Sequence, residues 1–423
     1  MKAVILAIGD ELIMGQTVDT NSAWLSARLA EFGVMTVCHK TVPDDVGATV
    51  AALKEACDAA ELVIVTGGLG PTEDDLTRKA FAEILGAPLD LHPPSLEHIR
   101  SFFKTLGKTM PASNRIQAMI PRGAEVVAND WGTAPGIKAM IGKSTLFALP
   151  GVPHEMMKMA DRSIFSRFRG EPGHALAVEC LHTFGAGEST VAEKLGALMR
   201  RDRNPIVGTT VSGGVVTVRI RSEAPTPVLA RKALATTVKE VEAKLGSLVF
   251  GHGDETLSAR VGQLARSKGQ RIATAESCTG GLVARMVTDI AGASNWYVGG
   301  WITYSNEMKT RELGVSAELI DREGAVSEAV ALAMAEGALQ RSGSDWAVSL
   351  TGVAGPDGGT PEKPVGTVWI GLCRRDGERR ITKAERFQFA GTRDIIRDRA
   401  AKTALNLLRL ELTALPYPDS SSR

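Results

Sequence analysis

"VTGGLGPTEDDLTRKA", residues 65–80, begins as the end of an apolar run and closes as the start of an amphipathic one. A buried strand that breaks at Gly67, Gly68 and Gly70, followed by a helix that Thr72 or Asp74 can cap, makes one strand-loop-helix unit. The same unit recurs on both sides of it. "AVILAIG" (3–9), "MTVCHKTV" (35–42) and "STLFALPG" (144–151) read as strands, whereas "NSAWLSARLAEFG" (21–33), "VGATVAALKEACDAA" (46–60) and "VPHEMMKMADRSIFSRF" (152–168) read as helices. Short apolar strands separated by amphipathic helices call for a parallel sheet covered on both faces. Residues 1–168 are therefore expected to form an α/β domain.

The glycines let backbone amides approach a ligand closely, and the adjoining helix start favours an anion, so the loop suits a phosphate or pyrophosphate. Asp74 and Asp75 are then oddly placed. A hard cation such as magnesium would reconcile them, because carboxylates hold the metal while the metal bridges phosphate oxygens; alternatively they complement the helix dipole. Further polar loops follow strands of the same sheet: "GDELIMG" with Asp10 and Glu11, "VPDD" with Asp44 and Asp45, "WGTAPG" and "LPGVPHEM". Open α/β sheets bind ligands at such strand ends.

"RGEPGHA" (169–175) reads as a linker. Over 172–250 the pattern changes to a strand, a helix, the glycine-turned hairpin "IVGTTVSGGVVTVRIRSEA" and a second helix, a small α+β domain. Its order is similar to that of RNA-binding KH modules, but the GxxG clamp such binding needs is missing, and "RRDRN" (200–204) reads as a solvated turn. The absence of clustered functional side chains suggests a spacer or a dimer surface, hence a homodimer. Residues 255–414 alternate strands and helices again, a third domain of α/β type, and 415–423 are expected to be a disordered tail.

The 423 residues carry 49 basic and 48 acidic side chains, a formal net charge of +1. That balance has no polyelectrolyte signature, so nucleic acid is not an expected partner. No apolar stretch reaches membrane-spanning length, and Asp10 and Glu11 end the opening apolar run, which reads as a buried strand rather than a signal peptide. Five cysteines are scattered without a CxxC pair, against a disulfide framework or a zinc site and in favour of a reducing cytoplasm.

"AESCTGG" (275–281) sets Ser277 beside Cys278 at the expected end of a strand. All seven histidines, at 39, 92, 98, 154, 174, 182 and 252, precede it, so a Ser-His or Cys-His pair would need His252 or a residue from elsewhere. "WITYSNEMKTRELGV" (301–315) offers Tyr304 and Lys309 instead. Lysine deprotonates serine only when neutral, which near pH 7 costs roughly 4–5 kcal/mol unless burial lowers its pKa. Tyr304 could relay the proton or hold Lys309 in place; Lys309 could equally be a surface helix residue. Gly280 and Gly281 can direct amides toward a developing oxyanion. A second glycine loop, "SLTGVAGPDGG" (349–359) with Thr351, Gly352 and Gly355, could enclose a nucleotide phosphate together with Arg393 of "GTRDIIR". An ordinary helix-face arginine is the alternative reading of Arg393.

"GDELIMG…DTN", "TGGLGPTEDDLT", "GTAPG" and "LPGVPHEM" resemble the N-terminal domain of the CinA family (competence/damage-inducible protein A), whose fold is that of molybdopterin-binding proteins. "AESCTGG", "YSNEMK", "GAVSE", "TGVAGPDGG" and "KPVGTVW" resemble the nicotinamide-nucleotide amidohydrolase domain that forms the C-terminal part of that family. The resemblance implies three domains: a molybdopterin-binding-like α/β sandwich at 1–168, a KH-like α+β domain at 172–250 and an α/β amidohydrolase domain at 255–414. It implies two hydrolytic activities, one on ADP-ribose with a divalent metal ion and one, without a cofactor, on the carboxamide of nicotinamide mononucleotide (NMN). Carried over, Ser277, Tyr304 and Lys309 become catalytic, with Cys278 a buried neighbour. Gly280, Gly281, Thr351, Gly352, Gly355 and Arg393 become substrate-binding. In the first domain Gly67, Gly68, Gly70, Thr72, Asp10 and Glu11 become substrate-binding, and Asp74, Asp75 and Asp44 metal-binding. The molybdopterin kinship alone implies less, a pterin- or nucleotide-binding module without turnover, and the family's name suggests a role in DNA uptake or repair.

Overall fold

The computed structural model describes residues 1–168 and 175–415. They divide into two compact units, Met1–Ala177 with Ser222–Lys232 and Val178–Arg221 with Ala233–Arg423. The expected linker, but for Ala175, and the expected tail from 416 onward lie outside the described residues.

In the first unit six strands lie in the spatial order Met35–Val42, Lys2–Ile8, Leu62–Thr66, Ser144–Leu149, Gly136–Ile141, Glu125–Val127. The first four are parallel, as the alternating pattern requires. The last two are antiparallel and depart from the all-parallel expectation. Ile141 pairs with Ser144 across a two-residue turn in which Gly142 has φ 54°, the tight hairpin that a positive φ permits. Successive side chains of a strand point to opposite faces, and here both faces are buried. Val4, Leu6, Val63 and Val65 join Val50, Leu53 and Phe81 of the helices Val46–Ala59 and Thr77–Leu85 in one cluster. Ala3, Ile5, Leu62 and Ile64 join Leu25, Leu29, Met156 and Met159 of the helices Thr20–Glu31 and Pro153–Ser163 in the other. Asp45, one of the loop acids, caps its helix by accepting from Ala48 N at 2.7 Å.

The second unit contains two sheets. The middle segment, which lies in the second unit except for residues 175–177 and Ser222–Lys232, folds as Ile206–Ser212, Val215–Ala224, Ala175–Thr183 and Val249–His252, in that spatial order, with helices Glu188–Leu195 and Pro227–Leu245. The C-terminal segment folds as Tyr297–Ile302, Ile272–Glu276, Trp346–Gly352, Thr367–Asp376 and Arg379–Gln388, the first three parallel and the last two antiparallel additions. Phe184 and Phe250 of the middle segment share one buried cluster with Ile272, Val348 and Leu405. The 22-residue helix Arg393–Ala414 is tied to the middle segment by Arg409, which donates to Val249 O and Ser247 O at 3.2 and 2.6 Å. Among the described residues no helix is long and apolar enough to cross a membrane.

Candidate active sites

Where the strand Leu62–Thr66 ends, the chain turns at Gly67 and Gly68, with φ 109° and 65°. A Cβ on Gly67 would lie 2.2 Å from Ile8 O and one on Gly68 would lie 2.3 Å from Thr77 Oγ1, so the protein itself demands glycine at both places. The loop's carbonyls are held by the following helix: Thr77 Oγ1 donates to Gly67 O (2.8 Å), Thr77 N to Gly68 O (3.1 Å), and Arg78 to Leu69 O (2.7 Å) and Gly70 O (2.5 Å). Among the described residues the amides of Gly68 and Leu69 donate to no protein acceptor, and both residues line a cavity of about 490 Å³. Free amides over tethered carbonyls make a nest for an anion.

Glu11, Asp44, Thr72, Asp74 and Asp75 line the same cavity, whereas Asp10 is not among its lining residues. Asp10 N donates to the Asp44 carboxylate at 2.9 Å and Asp44 N to that of Asp10 at 3.2 Å, which clamps two loops together. Burial, with the charges of Asp10, Glu11 and Asp74, pushes the Asp44 carboxyl above the ordinary carboxylate range. Asp75 differs from its neighbour. One of its oxygens accepts from Gly70 N (2.6 Å), the other from Thr72 N (2.8 Å) and Thr72 Oγ1, so Asp75 braces the glycine loop. The brace also corrects the helix start: the helix begins at Thr77 without a side-chain cap, so neither Thr72 nor Asp74 caps it. Among the described residues no three His, Cys, Asp or Glu side chains converge to hold a metal ion. Asp44 and Asp74 still fit the sparser demand of a magnesium ion, which takes one or two carboxylates and completes its shell from substrate phosphates and water.

In the second unit Ser277 follows the fully buried strand Ile272–Glu276 and extends its ladder by donating its amide to Leu350 O at 2.9 Å. Gly280 and Gly281, at φ 60° and 91°, turn the chain into the helix Leu282–Thr288. Lys309 comes from the helix Asn306–Leu313, whose start is fixed by Ser305 Oγ accepting from Met308 N. A long helical side chain leans toward its own N-terminus, and Lys309 accordingly folds back over Thr303 and Tyr304. Its Nζ lies 3.1 Å from Ser277 Oγ, 2.9 Å from Thr303 O and 3.4 Å from Tyr304 O. Lys309 is 2% exposed and makes no ion pair among the described residues; burial lowers its pKa from the ordinary lysine value. Cys278 is 6% exposed, and burial first of all pushes its thiol up to about 12. The nucleophilic form of cysteine is the thiolate, so near neutral pH this thiol is inert.

Tyr304 meets Lys309 through its carbonyl, not its ring. The phenol is exposed, at 61%, and accepts from Arg393 Nη2 at 2.9 Å, so no hydrogen bond carries a proton from Ser277 through it. Arg393 Nη1 donates to Gly355 O at 2.7 Å, and among the described residues no carboxylate pairs with this guanidinium. Gly280 N donates to Ser277 O at 3.0 Å, which removes it as an oxyanion donor, whereas Gly281 N has no protein acceptor among the described residues. The Thr351 hydroxyl donates to Ala325 O at 2.7 Å, and a Cβ on Gly352 would lie 2.6 Å from Thr367 O, so both serve packing of the strand end. His252 meets the Glu242 carboxylate at 3.1 Å and Arg200 that of Asp202 at 3.0 Å, partners that account for both residues structurally.

Three family matches run along the chain: "Probable molybdopterin binding domain" over residues 4–169, "Damage-inducible protein CinA KH domain" over 179–251 and "CinA C-terminal domain" over 254–412. A "CinA-like protein" of Anaeromyxobacter dehalogenans is 42% identical over 412 residues, 97% of this chain and 100% of that protein. The chain belongs to the CinA family. A second CinA-like protein, from Geobacter sulfurreducens, is 42% identical over 416 residues, 97% of this chain and 99% of its own. A solved competence damage-inducible protein A from Klebsiella pneumoniae is 36% identical, with a TM-score of 0.36, and covers 38% of this chain and 97% of that one.

Several residues that shape these CinA sites are not evident from the sequence. Glu276 is buried and its two oxygens accept from Val283 N and Ala284 N at 3.0 and 2.8 Å, so a protein carboxylate occupies the start of the helix that follows Gly280 and Gly281. Arg397 Nη2 donates to Thr279 O at 2.8 Å and pins the loop beside Ser277. Arg78 sits in the helix "TRKAFAEIL" like a surface residue but is 1% exposed. Glu276, directly before the serine and a few residues ahead of a helix, was the only one of these with a readable signal.

Proposed function

We propose that the chain is a two-site hydrolase of phosphorylated ribosides. The second unit converts NMN to nicotinate mononucleotide and ammonia. The first converts ADP-ribose to AMP and ribose 5-phosphate. The observation that carries the reading is Lys309, buried without an ion-pair partner among the described residues, 3.1 Å from Ser277 Oγ.

A neutral amine has two N–H donors and one lone pair. The carbonyls of Thr303 and Tyr304 take the donors, and the lone pair is left to face the Ser277 hydroxyl. Lys309 takes the serine proton as Oγ attacks the carboxamide carbon, and the charge on the former carbonyl oxygen would be met by the Gly281 amide. The proton passes to the amide nitrogen, the C–N bond breaks and ammonia leaves an ester on Ser277. Water, deprotonated in turn by Lys309, cleaves that ester and restores the hydroxyl. Arg393, a guanidinium without a carboxylate partner among the described residues, suits the 5′-phosphate. In the first unit the Gly68 and Leu69 amides would receive the diphosphate, and Asp44 and Asp74 would hold a divalent cation whose charge neutralises it.

Replacing Cys278 with alanine is expected to leave most of the ammonia release, within about threefold, since a protonated thiol contributes only packing. Loss in that variant with retention in Ser277→Ala would reverse the assignment. A chelator is expected to stop AMP formation and leave ammonia formation unchanged, and equal inhibition of both would remove the metal from this scheme. Incubation of the intact chain with ADP-ribose and NMN, followed by product identification, tests both sites together. ADP-ribose that binds without giving AMP would reduce the first unit to a binding module.

A further inference from the structure

Asn21, second residue of the helix Thr20–Glu31, is only 8% exposed yet lines the glycine-loop cavity. Its Nδ2 donates to Thr66 Oγ1 at 2.9 Å and to Gly151 O at 2.8 Å. Chemistry fixes which way the amide faces. The Gly151 carbonyl can only accept, and the single Thr66 hydroxyl proton goes to Pro150 O at 3.1 Å, so Thr66 Oγ1 also needs a donor. Turning the amide over would set oxygen against oxygen at both contacts. Oδ1 is therefore held as an acceptor, and it is buried with no hydrogen-bond partner among the described residues. Buried acceptors left unpaired are rare, because the lost hydration is not recovered.

The rest of the cavity explains the choice of an amide. Gly68 and Leu69 offer amides to an anion, while Glu11, Asp44 and Asp74 already concentrate negative charge, which adds to burial in raising the Asp44 pKa. Beside a diphosphate a further carboxylate would add repulsion, whereas a neutral oxygen accepts without it.

We infer that Asn21 Oδ1 is a specificity-determining acceptor for a neutral O–H or N–H donor of the nucleotide whose phosphates lie on the glycine loop. Two groups of such a ligand carry that chemistry, a ribose hydroxyl and the exocyclic amine of the base. The inference rests on the nucleotide reading of the first unit.

Dissociation constants measured on the full chain test it. The probes are ADP-ribose, inorganic pyrophosphate, ADP-ribose analogues lacking single ribose hydroxyls, and the hypoxanthine analogue lacking the amine. Asn21→Ala is expected to weaken ADP-ribose by roughly tenfold to a hundredfold and pyrophosphate by less than about twofold. One analogue should bind the unmodified chain with that same loss and be indifferent to Asn21→Ala; its identity names the donor. The analogue series on the unmodified chain needs no variant, which covers the case of an alanine variant too unstable to assay. Equal weakening of pyrophosphate and ADP-ribose by Asn21→Ala, or analogues that all bind as well as ADP-ribose, each overturns the inference alone. Failure of the unmodified chain to bind ADP-ribose overturns the nucleotide reading and this inference with it.

Discussion

Ser277→Ala is expected to abolish ammonia release from NMN, with a loss of roughly four orders of magnitude or more, as for other nucleophiles that act in concert with a base. Lys309→Met should fall as far, because the hydroxyl then has no acceptor for its proton. Lys309→Arg should not restore activity, since a guanidinium does not give up its proton in a protein. The pH dependence carries the sign of the burial effect. Lys309 is a base only after losing its proton, so the rate rises with pH along a limb whose midpoint lies below the ordinary lysine value of 10.5. Below that midpoint the folded chain holds an ammonium out of water, so Lys309 detracts from stability at low pH. That penalty shrinks as pH rises toward 10.5, because the unfolded chain binds the proton more readily than the folded one. Steady-state ammonia release across pH for the unmodified chain, and at its optimum for the three variants, decides the matter, and substantial activity in Ser277→Ala would end the serine mechanism.

Arg78→Met is expected to disable the first unit. The guanidinium spans two carbonyls, Leu69 O and Gly70 O, and burial holds its pKa down to about 10, still charged near neutrality. Removing it leaves Gly70 O without its donor and Leu69 O with only Gln117 Nε2 at 3.4 Å, so the unit should lose roughly 1–4 kcal/mol of stability. AMP release should disappear with the loop's shape, since its amides present themselves only while its carbonyls are held back. Arg78→Lys is not expected to rescue, because a point charge cannot reach both oxygens as a planar fork does. Ammonia release, which depends on residues of the second unit, should stay within about twofold. Thermal unfolding and the two product assays check this, and retained AMP formation in Arg78→Met would show that the loop keeps its shape without the fork.

The parallel part of each sheet was legible because strands buried on both faces are continuous apolar runs. The strand Arg379–Gln388 was not, since "RRITKAERFQ" is mostly exposed and carries no such run. The glycine loops and Ser277 announced themselves through residue type and position at strand ends. What escaped was every role that depends on burial or on backbone. Asp74 and Asp75 are adjacent and identical in type, and both line the cavity, but only folding shows that Asp75 also braces the loop. Tyr304 was singled out for its phenol, but what touches Lys309 is its carbonyl, a group that every residue owns. Asn21 and Arg78 look like ordinary polar positions of amphipathic helices until tertiary contacts enclose them.

The three oxygens around Lys309 Nζ have one further implication. Two can only receive hydrogens, and the third can turn its own hydrogen toward or away from nitrogen. The same cage therefore accommodates the amine and the ammonium without moving any heavy atom, and the barrier to passing the hydrogen across contains little cost for rearranging the surroundings.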